Sequence, residues 1–115
     1  MPRYAERTSD EAEYFSVDYS KASVVSELRR LDLDVDEGDL SDIWLASIDD
    51  LILTEELASS GNASLMSVQM RRGARFPPVV VRATSGGLLV VDGHHRIDAS
   101  RLVGYGMVPV RELLT

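Results

Sequence analysis

The stretch Val90-Val91-Asp92-Gly93-His94-His95-Arg96 joins two different sequence patterns. The apolar run Leu88–Val91 predicts a strand. The residues after Gly93 predict a helix, because apolar residues recur there at helical spacing, and Gly104 follows where a left-handed C-terminal cap belongs. Gly93 is therefore expected at a strand-to-helix turn, where glycine accepts unusual dihedral angles and lets a ligand approach the backbone.

This turn has the composition of a phosphate-binding site. Free amides at a helix start and the positive end of the helix dipole favour an anion. His94, His95 and Arg96 add side-chain donors, and the guanidinium fork of Arg96 suits a phosphate. The alternative for Arg96 is a structural ion pair with Asp92 or Asp98.

Asp92 and the two histidines have further candidate roles. Asp92 is placed to hold magnesium beside a phosphate, or else to cap the following helix. His94 and His95 are candidates for donating to phosphate or handling a proton, although either could instead cap or pack. We do not expect both to ligate one metal, because adjacent side chains at a turn diverge.

Composition limits the class of protein. A length of 115 residues with 44% apolar content fits one compact domain with a core. The chain has no cysteine, which excludes disulfides, thiolate zinc sites and a catalytic thiol. It also lacks an apolar run of about 18 residues and the apolar segment of a signal peptide. We therefore expect a soluble, cytoplasmic protein without a membrane span.

Charge is divided unevenly along the chain. The net charge is −7, made up of −9 in residues 1–50 and +2 in residues 51–115. Because the protein is acidic overall, we do not expect it to bind DNA directly. Because residues 51–115 carry a positive balance, we expect any anion site to lie in that half. The acidic first half is a candidate surface for a protein partner. No pattern indicates the oligomeric state.

The order of predicted elements is that of an α+β fold with a small mixed sheet and flanking helices. Residues 1–42 form an acidic N-terminal extension with one amphipathic helix over about 21–31, and residues 43–115 form the main domain. The main domain is expected to contain a strand at 43–48, a helical turn at 49–53, a helix closed by Gly73, a hairpin of 79–83 with 88–91, the Gly93 helix and a strand at 107–111. Pro109 predicts that the last strand lies at a sheet edge, or that the proline lies at its terminus.

From Ile43 onward, this order resembles the ParB/sulfiredoxin superfamily. The resemblance rests on several features in sequence: the acidic pair Glu55-Glu56, the helix ending at Gly73, Pro77-Pro78-Val79-Val80-Val81, the Gly86-Gly87 hairpin, the Val90–Arg96 stretch and Val108-Pro109-Val110. It implies a ParB/sulfiredoxin-like fold for residues 43–115. Residues 1–42 have no counterpart in it.

Different branches of the superfamily imply different chemistry. Sulfiredoxins carry their catalytic cysteine where this chain has His94, so that activity is excluded. ParB proteins hold the CTP triphosphate with a Gly-Glu-Arg-Arg turn, of which Gly93 and Arg96 match. The Asp-Gly-His-His-Arg spelling is most similar to the free-serine-kinase branch, in which the turn binds nucleotide phosphates and magnesium. An upstream glutamate is the base in that branch, which implies Glu55 or Glu56 here.

The resemblance therefore implies nucleotide binding through Gly93, His94, His95 and Arg96. The expected cofactors are Mg²⁺, held by Asp92, and a nucleoside di- or triphosphate (ATP, ADP or CTP). The chain would then hydrolyse or transfer a terminal phosphate as a small-molecule kinase or NTPase, with Glu55 or Glu56 and His94 as catalytic groups. The alternatives are a non-catalytic, nucleotide-dependent partition or regulatory module, and a nuclease.

Overall fold

The computed structural model describes residues 17–53 and 61–115 of the chain. It has the predicted α+β fold, with a five-stranded mixed sheet and helices packed on both of its faces. The helices are α1 (Lys21–Arg30), α2 (Gly61–Arg71) and α3 (His94–Val103), and the strands are β1 (Trp44–Ser47), β2 (Leu51–Ile52), β3 (Val79–Thr84), β4 (Gly87–Asp92) and β5 (Met107–Glu112). Within the described residues, no helix is both long and apolar enough to cross a membrane.

The sheet has the strand order β1-β5-β3-β4-β2. The predicted hairpin forms between β3 and β4, which are antiparallel and joined by a tight turn at Ser85 and Gly86. β5 is parallel to β3 and antiparallel to β1, whereas β2 is parallel to β4. The start of β3 therefore lies between the second half of β5 and the end of β4.

One expectation about the strands is wrong, and the expectation for the residues between β1 and β2 is confirmed only in part. β5 lies inside the sheet, so Pro109 is not on an edge strand; it lies opposite Leu45 of β1. The parallel ladder with β3 begins at the next residue, Val110, so the missing N–H falls at the end of that ladder, where proline is tolerated. The expected helical turn at 49–53 is a 3₁₀ turn at Ile48–Asp50, after which β2 pairs with β4.

The alternation of side chains along β3 divides the core between the two faces of the sheet. Val79 and Val81 face Ile97 of α3 in one buried cluster. Val80, between them, faces the other way and belongs to the cluster that contains Leu28 of α1. α1 and α3 therefore cover opposite faces of the same strands.

Local capping explains where α1 begins and where α3 ends. Ser20 caps α1, because its hydroxyl accepts a hydrogen bond from the Ser23 amide at 3.3 Å. Gly104 ends α3 in the predicted left-handed conformation, with φ of 104°. The amides of Gly104 and Tyr105 both donate to the Ser100 carbonyl, which closes the last turn.

The buried Arg111 of β5 fastens the segments on either side of α1 to the sheet. Its guanidinium donates to the carbonyl oxygens of Tyr19 and Ser41, each at 2.7 Å. Burial lowers the pKa of Arg111, although an arginine keeps its charge in proteins. Both ends of the α1 segment are thus hydrogen-bonded to one strand.

The packing of α1 predicts that its apolar face is part of the core. Leu28→Ala removes a fully buried side chain and should lower the free energy of unfolding by about 2–5 kcal/mol. Leu31→Ala, in the next turn, changes a side chain that is 52% exposed and should cost less than about 1 kcal/mol. Urea unfolding of both variants measures the difference. Equal small losses would mean that α1 does not contribute to the cooperative core.

Candidate functional site

Gly93 makes a sharp turn between the end of β4 and the start of α3. Its φ of 107° lies in the left-handed region, as the sequence predicts. A Cβ atom at this position would lie 3.1 Å from the Cα atom of Val79 and 3.2 Å from its Cγ2 atom. The missing side chain therefore makes room for the backbone of β3, a packing reason that sequence reasoning did not anticipate.

The strand pairing shifts register just before this turn. Val81 pairs with Val90, whereas Val80 pairs with Asp92, so Val91 is an extra residue in β4. Such a bulge bends the strand and re-aims the residues that follow it. The bulge and the left-handed glycine together set the direction in which α3 leaves the sheet.

The first turn of α3 follows directly from Gly93. The Ile97 amide donates to the Gly93 carbonyl at 3.1 Å, which starts the helical hydrogen-bond pattern. The amides of His94, His95 and Arg96 lie in this first turn, and the Gly93 cap supplies no side-chain hydrogen bond to it. The positive end of the helix dipole makes the turn attractive to an anion.

A cleft of about 420 Å³ lies at this end of the sheet, and one of its walls is the predicted motif. All five predicted residues line it: Asp92, Gly93, His94, His95 and Arg96. The other walls come from α1 and its C-cap, from α2, from the segment before β3 and from β4. They comprise Glu27, Leu31, Met66, Phe76, Pro77, Pro78 and Val91. The local sequence pattern thus predicts one wall of the cleft, and the packing of distant segments forms its other walls.

The three motif residues after Gly93 differ in burial. Arg96 and His94 are 3% and 5% exposed, whereas His95 is an exposed residue. The guanidinium carbon of Arg96 lies 5.9 Å from the centre of the Phe76 ring, within cation–π range. Arg96 is therefore held by its surroundings rather than extended into solvent.

The segment before α1 holds Phe76 in place. Val17 forms a parallel bridge with Phe76, and the Asp18 amide donates to the Phe76 carbonyl at 2.7 Å. The Ser20 amide donates to the Asp18 carboxylate and holds the pKa of that carboxyl below its usual value. The segment before α1 is thus hydrogen-bonded to the backbone of the residue whose ring lies near Arg96.

The catalytic pair predicted from the resemblance, Glu55 and Glu56, lies in residues 54–60, outside the part of the chain that the structure describes. Within the described residues, no group of three or more His, Asp or Glu side chains has the arrangement of a metal site. Glu27 of α1 is a cleft residue that the sequence analysis did not identify. The one available signal was its spacing from Leu31, because residues four apart on a helix share a face.

Comparison with known proteins shows the fold. No protein-family model and no curated protein matches the chain. Among solved structures, sulfiredoxin from Arabidopsis thaliana is similar with a TM-score of 0.54 and 14% identity, over 61% of this chain and 82% of that one. Free serine kinase in complex with AMP is similar with a TM-score of 0.53 and 21% identity, over 64% of this chain and 31% of that one.

A third similar structure is the C-terminally truncated chromosome-partitioning protein ParB from Caulobacter crescentus, complexed with CTP-gamma-S. The TM-score is 0.52 and the identity 20%, over 63% of this chain and 44% of that one. The chain thus spans less than half of the kinase and of the ParB structure. The predicted resemblance to the ParB/sulfiredoxin superfamily is confirmed at the level of the fold.

The geometry of the turn predicts a specific cost for a side chain at Gly93. Gly93→Ala should lower the free energy of unfolding by about 1–3 kcal/mol, because alanine disfavours the left-handed region and its Cβ would press on Val79. Gly38→Ala is the matched control, since a Cβ there meets nothing within 4 Å. Thermal unfolding of the two variants tests this, and equal changes would contradict the proposed packing role.

Proposed function

We propose that this cleft binds the phosphates of a nucleoside di- or triphosphate, of which ATP, ADP and CTP are the candidates. With Mg²⁺ bound, the protein would hydrolyse the terminal phosphate or transfer it to a small acceptor. The observation that carries the proposal is the shared wall formed by Asp92 and the first turn of α3. Backbone amides, imidazoles and a guanidinium converge there beside one carboxylate.

The burial of Arg96 supports a phosphate ligand. A positive charge acts more strongly on a nearby anion when protein, rather than water, surrounds it. The Phe76 ring and the surrounding core restrict the guanidinium, so less side-chain freedom is lost when it pairs with phosphate. His95, which is exposed at the same wall, is available to donate to an outer phosphate oxygen.

The residues present also fit a magnesium ion bound together with phosphate. Mg²⁺ in nucleotide sites is usually held by one or two carboxylates, with phosphate oxygens and water completing its shell. Asp92 is half-buried at the end of β4 and lines the same wall as Arg96. When bound, the ion would neutralise charge that develops on the transferred phosphate.

The catalytic assignment combines the cleft with the resemblance. His94 lines the cleft and is buried, so it would orient phosphate or hold a proton there. Glu55 or Glu56 would accept the proton of the attacking hydroxyl, from water or from the acceptor. Positioning and charge neutralisation would supply most of the rate enhancement in such a reaction.

The similar structures support a nucleotide in particular. One is free serine kinase with AMP and another is a ParB protein with CTP-gamma-S, so two proteins of this fold were solved with nucleotides bound. The identities of 20–21% extend only the fold to this chain. The nucleotide assignment therefore rests jointly on these ligands and on the composition of the cleft.

Binding should depend on Arg96 more than on Arg101, the other arginine of the same helix. Arg96→Gln should weaken ATP, ADP or CTP binding about 10–100-fold, because a hydrogen bond to a charged group contributes about 1.5–3 kcal/mol. Arg101→Gln is the matched control, since Arg101 is exposed on α3 and does not line the cleft. Calorimetry with Mg²⁺, on variants whose unfolding temperatures have been checked, measures the effect.

Failure of every nucleotide to bind the unaltered protein would refute the proposed function. Equal loss in the Arg96 and Arg101 variants would show instead that general charge, rather than a defined site, attracts the ligand. Arg96→Lys separates charge from geometry, because lysine keeps the charge but lacks the planar fork. We expect it to bind more weakly than the unaltered protein.

Substitutions of Glu55 and Glu56 should affect turnover without affecting nucleotide binding. One of Glu55→Gln and Glu56→Gln should retain nucleotide binding within about threefold and lose most phosphate release or transfer, because an amide is not a base at neutral pH. Phosphate release and calorimetry on both variants give the two readouts. Full activity in both single variants and in the double variant would remove this pair from the mechanism.

A non-catalytic interaction module is the second candidate function. One observation favours it: α1, which belongs to the acidic half of the chain, lines the same cleft as the proposed phosphate-binding residues Asp92–Arg96, here called the phosphate wall. Occupancy of the cleft could then change the surface that this half offers to a partner. Nucleotide-dependent self-association or partner binding without any turnover would favour this function over the kinase or NTPase.

A further inference from the structure

The cleft carries opposite charges on different walls. Arg96 and the start of α3 attract anions, whereas Glu27 of α1 presents a carboxylate to the same space. A phosphate close to that carboxylate would be repelled by it, and more strongly where protein rather than water surrounds the two charges. Within the proposed function, the phosphates therefore belong at the α3 wall, and another part of the ligand reaches Glu27.

α1 presents Glu27 from a fixed position. Leu28, the next residue, is fully buried against the sheet and anchors the helix. Leu31, one turn further along, lines the cleft beside Glu27 and is 52% exposed. The Glu27 wall therefore combines a carboxylate with an apolar surface, to which Met66 of α2 also contributes.

Glu27 is available to a ligand at low cost. Its carboxylate accepts a hydrogen bond from Arg30 at 2.8 Å, but the Arg30 side chain is 74% exposed and that of Glu27 39%. Exposed pairs of this kind contribute little to stability, because water screens the two charges and both side chains lose freedom on pairing. A ligand donor that is shielded from water in the cleft can replace or share this partner.

We propose, resting on the nucleotide function above, that this wall contacts the base and that Glu27 selects bases with an exocyclic amino group. The apolar side chains of Leu31 and Met66 offer contact to the ring faces. A carboxylate only accepts hydrogen bonds, so it pairs with the amino group of adenine or cytosine and opposes a keto oxygen in the same place. The extension thereby determines base specificity at a site whose phosphate wall lies in the main domain.

The test compares two pairs of nucleotides that exchange an amino group for a keto group at one ring carbon and, with it, an acceptor for a donor at the adjacent ring nitrogen. CTP and UTP differ by amino and keto groups at position 4, and ATP and ITP differ in the same way at position 6. In each pair that binds, the amino member should bind about tenfold more tightly. Glu27→Gln should reduce that ratio to about one, because an amide both donates and accepts.

Glu37→Gln is the matched control, because it removes one negative charge from an exposed residue that does not line the cleft. It should leave both ratios unchanged. Calorimetry with Mg²⁺ gives the affinities, and tripolyphosphate serves as a probe of the phosphate wall alone.

The outcomes separate the two proposals. If neither tripolyphosphate nor any nucleotide binds, the proposed function fails and the base assignment fails with it. If nucleotides bind but amino and keto members do not differ, or if their ratio survives Glu27→Gln, only the role of Glu27 is overturned. If Glu27→Gln and Glu37→Gln both abolish the preference for the amino nucleotide, the preference depends on net charge, which also overturns the proposal.

Discussion

The backbone of Gly93 passes so close to Val79 that a Cβ atom would press against it at 3.1 Å. This contact joins the end of β4 to the start of β3 and is made with a left-handed φ that glycine adopts readily. The extra residue Val91 bends β4 just before it. These local constraints fix the direction of α3, and with it the position of every donor on this wall of the cleft.

The sheet separates the layers that meet at the cleft. α3 packs on one face through Ile97 and α1 on the other through Leu28, so the two helices reach the same end of the sheet from opposite sides. Phe76 connects them further, because its backbone is bonded to the segment before α1 and its ring lies near Arg96. A ligand in this cleft would therefore contact both halves of the chain.

Features set by local backbone chemistry were predictable from the sequence. The left-handed glycines at 93 and 104, the Gly-Gly hairpin and the α+β order follow from short patterns, and the structure has all of them. Pro109 inside the sheet and the short strand β2 were mispredicted, because strand neighbours depend on pairing between distant segments. The place of Glu27 was missed for the same reason: only the packing of α1 on the sheet brings it to the cleft.

The acidity of the chain is compatible with an anionic ligand because the relevant charges act over different distances. Salt at physiological strength screens exposed charges beyond about 8 Å, so an exposed carboxylate further than that from the cleft has little effect inside it. Arg96 is buried at its wall and acts at short range with little screening. A long polyanion would have to cross the acidic surface as well, whereas a compact phosphate meets only the cleft. The charge distribution therefore favours a small phosphorylated ligand over a nucleic acid.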